Sequence, residues 1–253
     1  RLHMLVRTAP DSDRPVDAVR LERDITETVR TWQDRLKDSL VDAFGEAAAL
    51  RLSRVWGDAF PAAYQEDTQL ETAVEDIATL ERLTATSDAL PMTLYRRDDQ
   101  PTHKVQFKIF RGLRPIPISD VLPTIENLGL KLISERPYEV VSGDLTFWIQ
   151  DFELEHPRGI RIDLETDGPR FKTTFARVWA GDADNDGFNR LVLAADLTWR
   201  EATVLRTYAR WLSQLGLPLS QAYVEEALAS NPAAAGHLLK LFVARFDPAI
   251  PAS

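Results

Sequence analysis

Cysteine is absent from the 253-residue chain, which removes disulfides, thiolate nucleophiles and thiolate metal ligands together. That absence fits a cytoplasmic home. No apolar run approaches the ~18 residues of a membrane-spanning helix, and no leader pattern opens the chain, so a membrane partner is not expected. Basic clusters are missing too: 30 Lys and Arg stand against 39 Asp and Glu, a net charge of -9. A nucleic-acid binder must gather cations over phosphates, so nucleic acid is not an expected partner either. The four histidines, His3, His103, His156 and His237, have no mate at metal-ligand spacing, and no metal is expected. No P-loop, G-x-S-x-G elbow or G-x-G-x-x-G turn follows a strand signal.

What is present is an ordinary globular composition, long enough to bury about 70–75% of the unfolded surface in one large or two modest domains. The chain is organised around residues 104–155. Val105, Phe107 and Ile109 alternate with Gln106, Lys108 and Phe110, the period of a sheet with one face buried. Residues 111–118 carry Pro115 and Pro117 and read as a connecting loop. Ser119 suits an N-cap, Asp120 suits the positive end of a helix, and Val121, Leu122, Ile125 and Leu128 follow at helical spacing before Gly129. A strand returns at 130–136, Pro137 breaks it, and 138–141 resumes it. After the Ser142-Gly143-Asp144 turn, Leu145, Phe147 and Ile149 alternate in a further strand.

Ahead of this module, Leu2, Met4 and Val6 read as a lone strand from the sheet of a preceding domain, in a fragment of a longer protein. Ile25, Val29, Trp32, Leu36 and Leu40 form one long helical stripe, ended by Gly45. Leu50, Leu52, Val55, Trp56 and Phe60 continue a second helix up to Pro61. Thr68 with Glu71 resembles a capping box for a third, striped by Leu70, Val74, Ile77 and Leu80. The aromatics of these helices read as core.

After the module, 159–164 and 170–179 suggest an edge strand and a short helix. Helices resume at Gly187: Leu191, Leu193 and Leu197 mark the first, Val204, Tyr208, Leu212 and Leu215 the second, Tyr223 and Leu228 the third, and 237–246 the fourth. Residues 182–187 imitate the start of a calcium loop, yet position twelve is Leu193 rather than glutamate. The plainer reading is a polar turn capping the helix that enters at Phe188. Asp151, Glu153 and Glu155 share a strand face, which suits either paired acid–base work or a solvated surface, the surface being the simpler account.

The runs RLHMLVR, TWQDRL, FPAAYQED, PIPISDVLPTIENLGL, ERPYEV, FWIQDFEL, DGFNRLVLAADLTWRE and LFVARFDP occur in order across most of the chain. They resemble the segment that precedes the catalytic domain in bacterial large-subunit NAD-dependent glutamate dehydrogenases. The resemblance implies an α+β chain: an ACT-like (ferredoxin-like) antiparallel module flanked by helical regions. It divides the chain into 1–13, the last strand of a preceding ACT-like unit; 14–90, a helical linker; 91–180, the ACT-like domain; and 181–253, helices leading to catalysis.

A parent of that kind oxidises L-glutamate to 2-oxoglutarate and ammonia with NAD. This segment is expected to hold no catalytic residue and no cofactor. Its expected partners are the other domains of the polypeptide and identical subunits. Related ACT domains bind amino acids at the loop and helix start that correspond here to Gly112, Leu113, Ile118, Ser119 and Asp120, although Pro115 and Pro117 remove two backbone donors. A regulatory and assembly region is the favoured reading, beside an amino-acid sensor or an architectural spacer.

Overall fold

The structure is a computed structural model that describes residues 17, 19–23, 30–85 and 90–247. The expected strand at Leu2–Val6 lies outside the described residues, as do Ile25 and Val29.

After a helical stretch at 19–23 come α1 (Trp32–Phe44), α2 (Glu46–Trp56), α3 (Ala62–Asp67) and α4 (Leu70–Ala85). The long first helix read from Ile25 is corrected by its cap. Thr31 is extended, its hydroxyl accepts from Asp34 N–H, and the Asp34 carboxylate accepts from Thr31 N–H, so α1 begins at Trp32. Gly45 ends α1 as expected, with φ 79°, a conformation that favours glycine. The second helix stops at Trp56 instead of running to Phe60, and Leu50 and Val55 of its expected stripe are exposed. Thr68 ends α3, where the sequence suggested it would open the next helix.

The sheet has four antiparallel strands, β1 (Met92–Tyr95), β2 (Lys104–Gly112), β3 (Lys131–Ser142) and β4 (Leu145–Glu155), in the order β1-β2-β4-β3. Helix α5 (Ile118–Asn127) joins β2 to β3, and α6 (Asp167–Trp179) follows β4. In a βαββαβ unit the strand beside the first one comes after the second helix. Here β1, supplied from ahead of the unit, occupies that edge. Strand β3 runs unbroken through Pro137, because β3 is an edge strand and a missing N–H need not interrupt its pairing with β4. Residues 159–164 form no strand, and α6 is a full 13-residue helix.

Both faces of the sheet are covered, where alternation in β2 suggested one. Val105, Phe107 and Ile109 pack under α5 and α6 with Phe152, Phe171 and Phe175. On the opposite face Phe110, Val140, Phe147 and Ile149 join Trp32, Leu36, Trp56, Tyr64 and Ile77 of the first helices. Trp32, Trp56, Phe60 and Tyr64 are core, as read from their spacing, whereas Phe44 at the end of α1 is exposed. A third core, with Phe188, Leu191, Leu205 and Leu239, belongs to the last part of the chain. That part contains a 3-10 turn (Gly187–Arg190), α7 (Leu191–Ala194), α8 (Trp199–Gln214), α9 (Gln221–Ser230) and α10 (Pro232–Phe246).

Candidate functional site

The loop expected to meet an effector is held at one end and open at the other. Gln150 on β4 is buried; its carbonyl accepts from Ile116 N–H at 2.6 Å and its amide donates to Ile116 O at 2.9 Å. Gly112 faces open space, and Leu113 is 81% exposed with φ 69°. Helix α5 starts at Ile118 with Pro117 as its N-cap, so Ser119 lies in the first turn and is not the cap; its hydroxyl donates to Asp120 at 3.1 Å. Pro117 sets this start two residues earlier than the Ser119 hydroxyl alone suggested. Gln150→Leu is expected to cost about 1–3 kcal/mol by stranding the polar groups of Ile116, read as a lower urea midpoint.

The carboxylates of β4 share one face of the sheet: Glu153 and Glu155 form a half-exposed ion-pair ladder with β2, and the solvated-surface reading fails at Asp151, which is buried. Lys104 pairs with Glu153 at 2.9 Å and reaches Glu155 at 3.8 Å. Deeper in, Lys108 pairs with Asp76 of α4, whose carboxylate also accepts from the Tyr64 hydroxyl at 2.6 Å. Asp151 accepts from the Tyr95 hydroxyl at 2.7 Å. Burial pushes the carboxyls of Asp76 and Asp151 above the usual range, while the Lys108 charge pulls both back. These groups face one another through helix and strand, and their hydrogen bonds end within the fold.

The acidic turn before the 3-10 turn and α7 is filled by the chain's own cation. Arg206 grips Asp186 through Nε at 2.7 Å and a terminal nitrogen at 2.9 Å, and also donates to Asn189 at 2.8 Å. Arg210 reaches Asp184 at 3.0 Å. Asp186 caps the turn entering at Phe188, accepting its N–H at 3.1 Å, as the polar-turn reading expects. Among the described residues no group of His, Asp and Glu is arranged to hold a metal ion.

His156, just past β4, accepts from Arg158 N–H at Nδ1, 3.2 Å away. Burial, then the charges of Arg158 and His103, hold its pKa below the ordinary 6.5. A lowered pKa favours the neutral ring in the fold, so the stability tied to it is present above pH ~6.5 and is lost as pH falls through the lower folded value. His156→Gln is expected to flatten that fall between neutral and mildly acidic pH, measured by urea midpoints across the range.

The stripes read as buried on the last helices partly face outward. In α8 the buried residues are Ala202, Leu205 and Arg206, whereas Tyr208, Trp211, Leu212 and Leu215 are exposed. Tyr208 meets Trp211 edge-on at 6.5 Å and Phe242 of α10 at 5.9 Å, and Phe242 touches Phe246 at 5.1 Å. Leu241 and Phe246 are 66% and 57% exposed. The apolar period was legible; its direction was not, because a stripe made for another partner has the same spacing as one made for the chain's own core.

Fold and interior together define an ACT-like sheet module clamped between helical regions, its buried charges engaged in packing. Family models agree segment by segment: glutamate dehydrogenase helical motif 2 over residues 39–83, its ACT3 domain over 89–166, and its helical motif 3 over 183–248. The NAD-specific glutamate dehydrogenase of Halomonas elongata is 42% identical over 249 residues, covering 98% of this chain and 15% of the relative. Those of Pseudomonas aeruginosa and Mycobacterium tuberculosis are 34% and 33% identical over 97% and 92% of the chain, again 15% of each relative. The chain belongs to the NAD-specific glutamate dehydrogenase family, and it spans about 15% of the length of those relatives. No described helix is long and apolar enough to cross a membrane.

Proposed function

We propose that this chain is a non-catalytic regulatory and assembly segment of a cytoplasmic NAD-dependent glutamate dehydrogenase that converts L-glutamate to 2-oxoglutarate and ammonia. NAD binds elsewhere in that parent. The observation that carries the reading is the outward aromatic and aliphatic face of α8 and α10, running from Trp211 through Tyr208 and Phe242 to Phe246. A surface of that kind serves to bury against something, and the occupants of this reading are the remaining domains of the polypeptide and identical subunits. The division into a helical linker at 14–90, an ACT-like domain at 91–180 and leading helices at 181–253 belongs to the same reading.

Incubated with L-glutamate and NAD, the 253-residue chain is expected to form no NADH, while the full-length parent forms it and loses activity or assembly on Trp211→Glu. NADH formed by the chain alone, or a fully active and normally assembled Trp211→Glu parent, would overturn the reading.

A second reading, an amino-acid sensor at Gly112, Leu113, Ile118, Ser119 and Asp120, is favoured by the exposed Leu113 and the open space at Gly112. Amino-acid titration would then move the amide resonances of 112–120, and unchanged resonances would remove it.

A further inference from the structure

A second concave site lies on the joint between the ACT-like module and the last helices. The cleft is about 420 Å³. One wall comes from the end of α5, the start of β3 and the loop leaving β4; the other comes from Arg190, α7 and α9. That volume falls in the range of small-molecule sites, and Leu128 and Leu130 at its floor are buried.

The charges around it are unevenly matched. Arg190 is tied to Glu226 at 2.9 Å. Arg158 makes one long bond to the Ala229 carbonyl at 3.5 Å, and neither it nor Lys131 has a carboxylate partner among the described residues. His156 adds a ring that is held neutral but is able to take a proton. Against these cations stand Glu226, already engaged, Glu126, and, outside the cleft lining, Glu155, which is opposite Lys131 in the β3–β4 register and is reached by Lys104 at 3.8 Å. A local cationic excess on a chain of net charge -9 favours an anion there, since elsewhere the fold repels one.

We infer that this cleft binds a small carboxylate, with Lys131 and Arg158 receiving its carboxyl groups and Glu126 placed to take an ammonium where the ligand carries one. Guanidinium and ammonium donors at a partly apolar cleft suit a carboxylate, and the hydrocarbon of such a ligand would lie over the Leu128 and Leu130 floor. The two walls belong to different parts of the chain, so the bound anion would tie the sheet module to the helices at 187–246. Its regulatory consequence rests on the reading above, but binding itself does not.

The test is titration of the 253-residue chain with succinate, L-glutamate and inorganic phosphate, following the His156 ring proton resonance, assigned by its loss in His156→Gln. A nearby anion favours the imidazolium, so succinate or glutamate is expected to raise the apparent His156 pKa saturably. Lys131→Gln and Arg158→Gln change exposed side chains without setting like charges opposite one another, are expected to leave the urea midpoint nearly in place, and are expected to weaken binding about tenfold or more. No saturable shift at millimolar carboxylate, an equal response to phosphate, or binding indifferent to both variants would overturn the assignment. Those outcomes leave the NADH and assembly results of the parent untouched, so the two readings fail separately.

Discussion

Asp76→Ala is expected to lower stability by about 3–5 kcal/mol, because it leaves the Lys108 ammonium buried without its counter-charge. Lys108 lies in the middle of β2 and is fully buried. Above it, α4 supplies Asp76; beside it, the ammonium sits 5.6 Å from the Tyr64 ring centroid and 5.1 Å from that of Tyr95. Those ring faces ease the desolvation of the cation but do not replace an anion. Asp151, opposite Lys108 in the β2–β4 register, feels that charge but makes no ion pair with it: its Oδ2 serves the Tyr95 hydroxyl and Arg97 at 3.6 Å, and its Oδ1 is buried without a hydrogen-bond partner. Removing Asp76 therefore strands one charge and frees the Tyr64 hydroxyl in a dry layer. The control is Asp76→Leu with Lys108→Met, which removes both charges at similar volume and is expected to cost less than the single change. Urea unfolding of the two variants decides it: a single substitution costing under ~1 kcal/mol would mean that water reaches this layer.

Arg206→Met is expected to cost a similar ~3–5 kcal/mol. The methionine would fill much of the space but leave Asp186 and Asn189 without the guanidinium that now satisfies them. Arg206 also lies over Phe188, 5.8 Å from its ring centroid, so it closes the third core as well as the acidic turn. Arg206→Lys keeps the charge but cannot make the two-pronged bond to Asp186, and it should fall between wild type and Met. Unfolding followed by tryptophan fluorescence reads both variants, with Trp199 and Trp211 at either end of the affected helix. Equal stability of the Lys variant and wild type would show that charge alone matters there.

These two residues also mark what the sequence could convey. Phe107 and Ile149 were legible as core because their strands alternate. Lys108, Gln106 and Asp151 alternate just as regularly, and period-two reading puts such residues in solvent; they are buried because α4 covers a face that one strand cannot report. Pro137 looked like a break because nothing in the local chain says that β3 is an edge. Strand β1 has only four residues, all half-buried, and the alternation of Leu90, Met92 and Leu94 towards one core is too short to stand out in the sequence. The Thr31–Asp34 cap carried a readable signal, Thr-x-x-Asp, which the longer hydrophobic stripe overrode. Asp182 to Gly187 was legible as a polar turn capping what enters at Phe188, but the cation that fills it, Arg206, lies twenty residues beyond Asp186, a distance that no motif spans. The junction cleft is less legible still, since Lys131, Arg158 and Arg190 come from three separate elements.

The account turns on the outward face of α8 and α10 being an internal surface of a larger protein. Hydroxyl-radical footprinting of Trp211, Leu241 and Phe246, compared between the 253-residue chain and the full-length parent, measures this directly. The account predicts side chains that react readily in the chain and are protected in the parent. Equal reactivity in both would contradict it and leave the segment without an assembly role at this face.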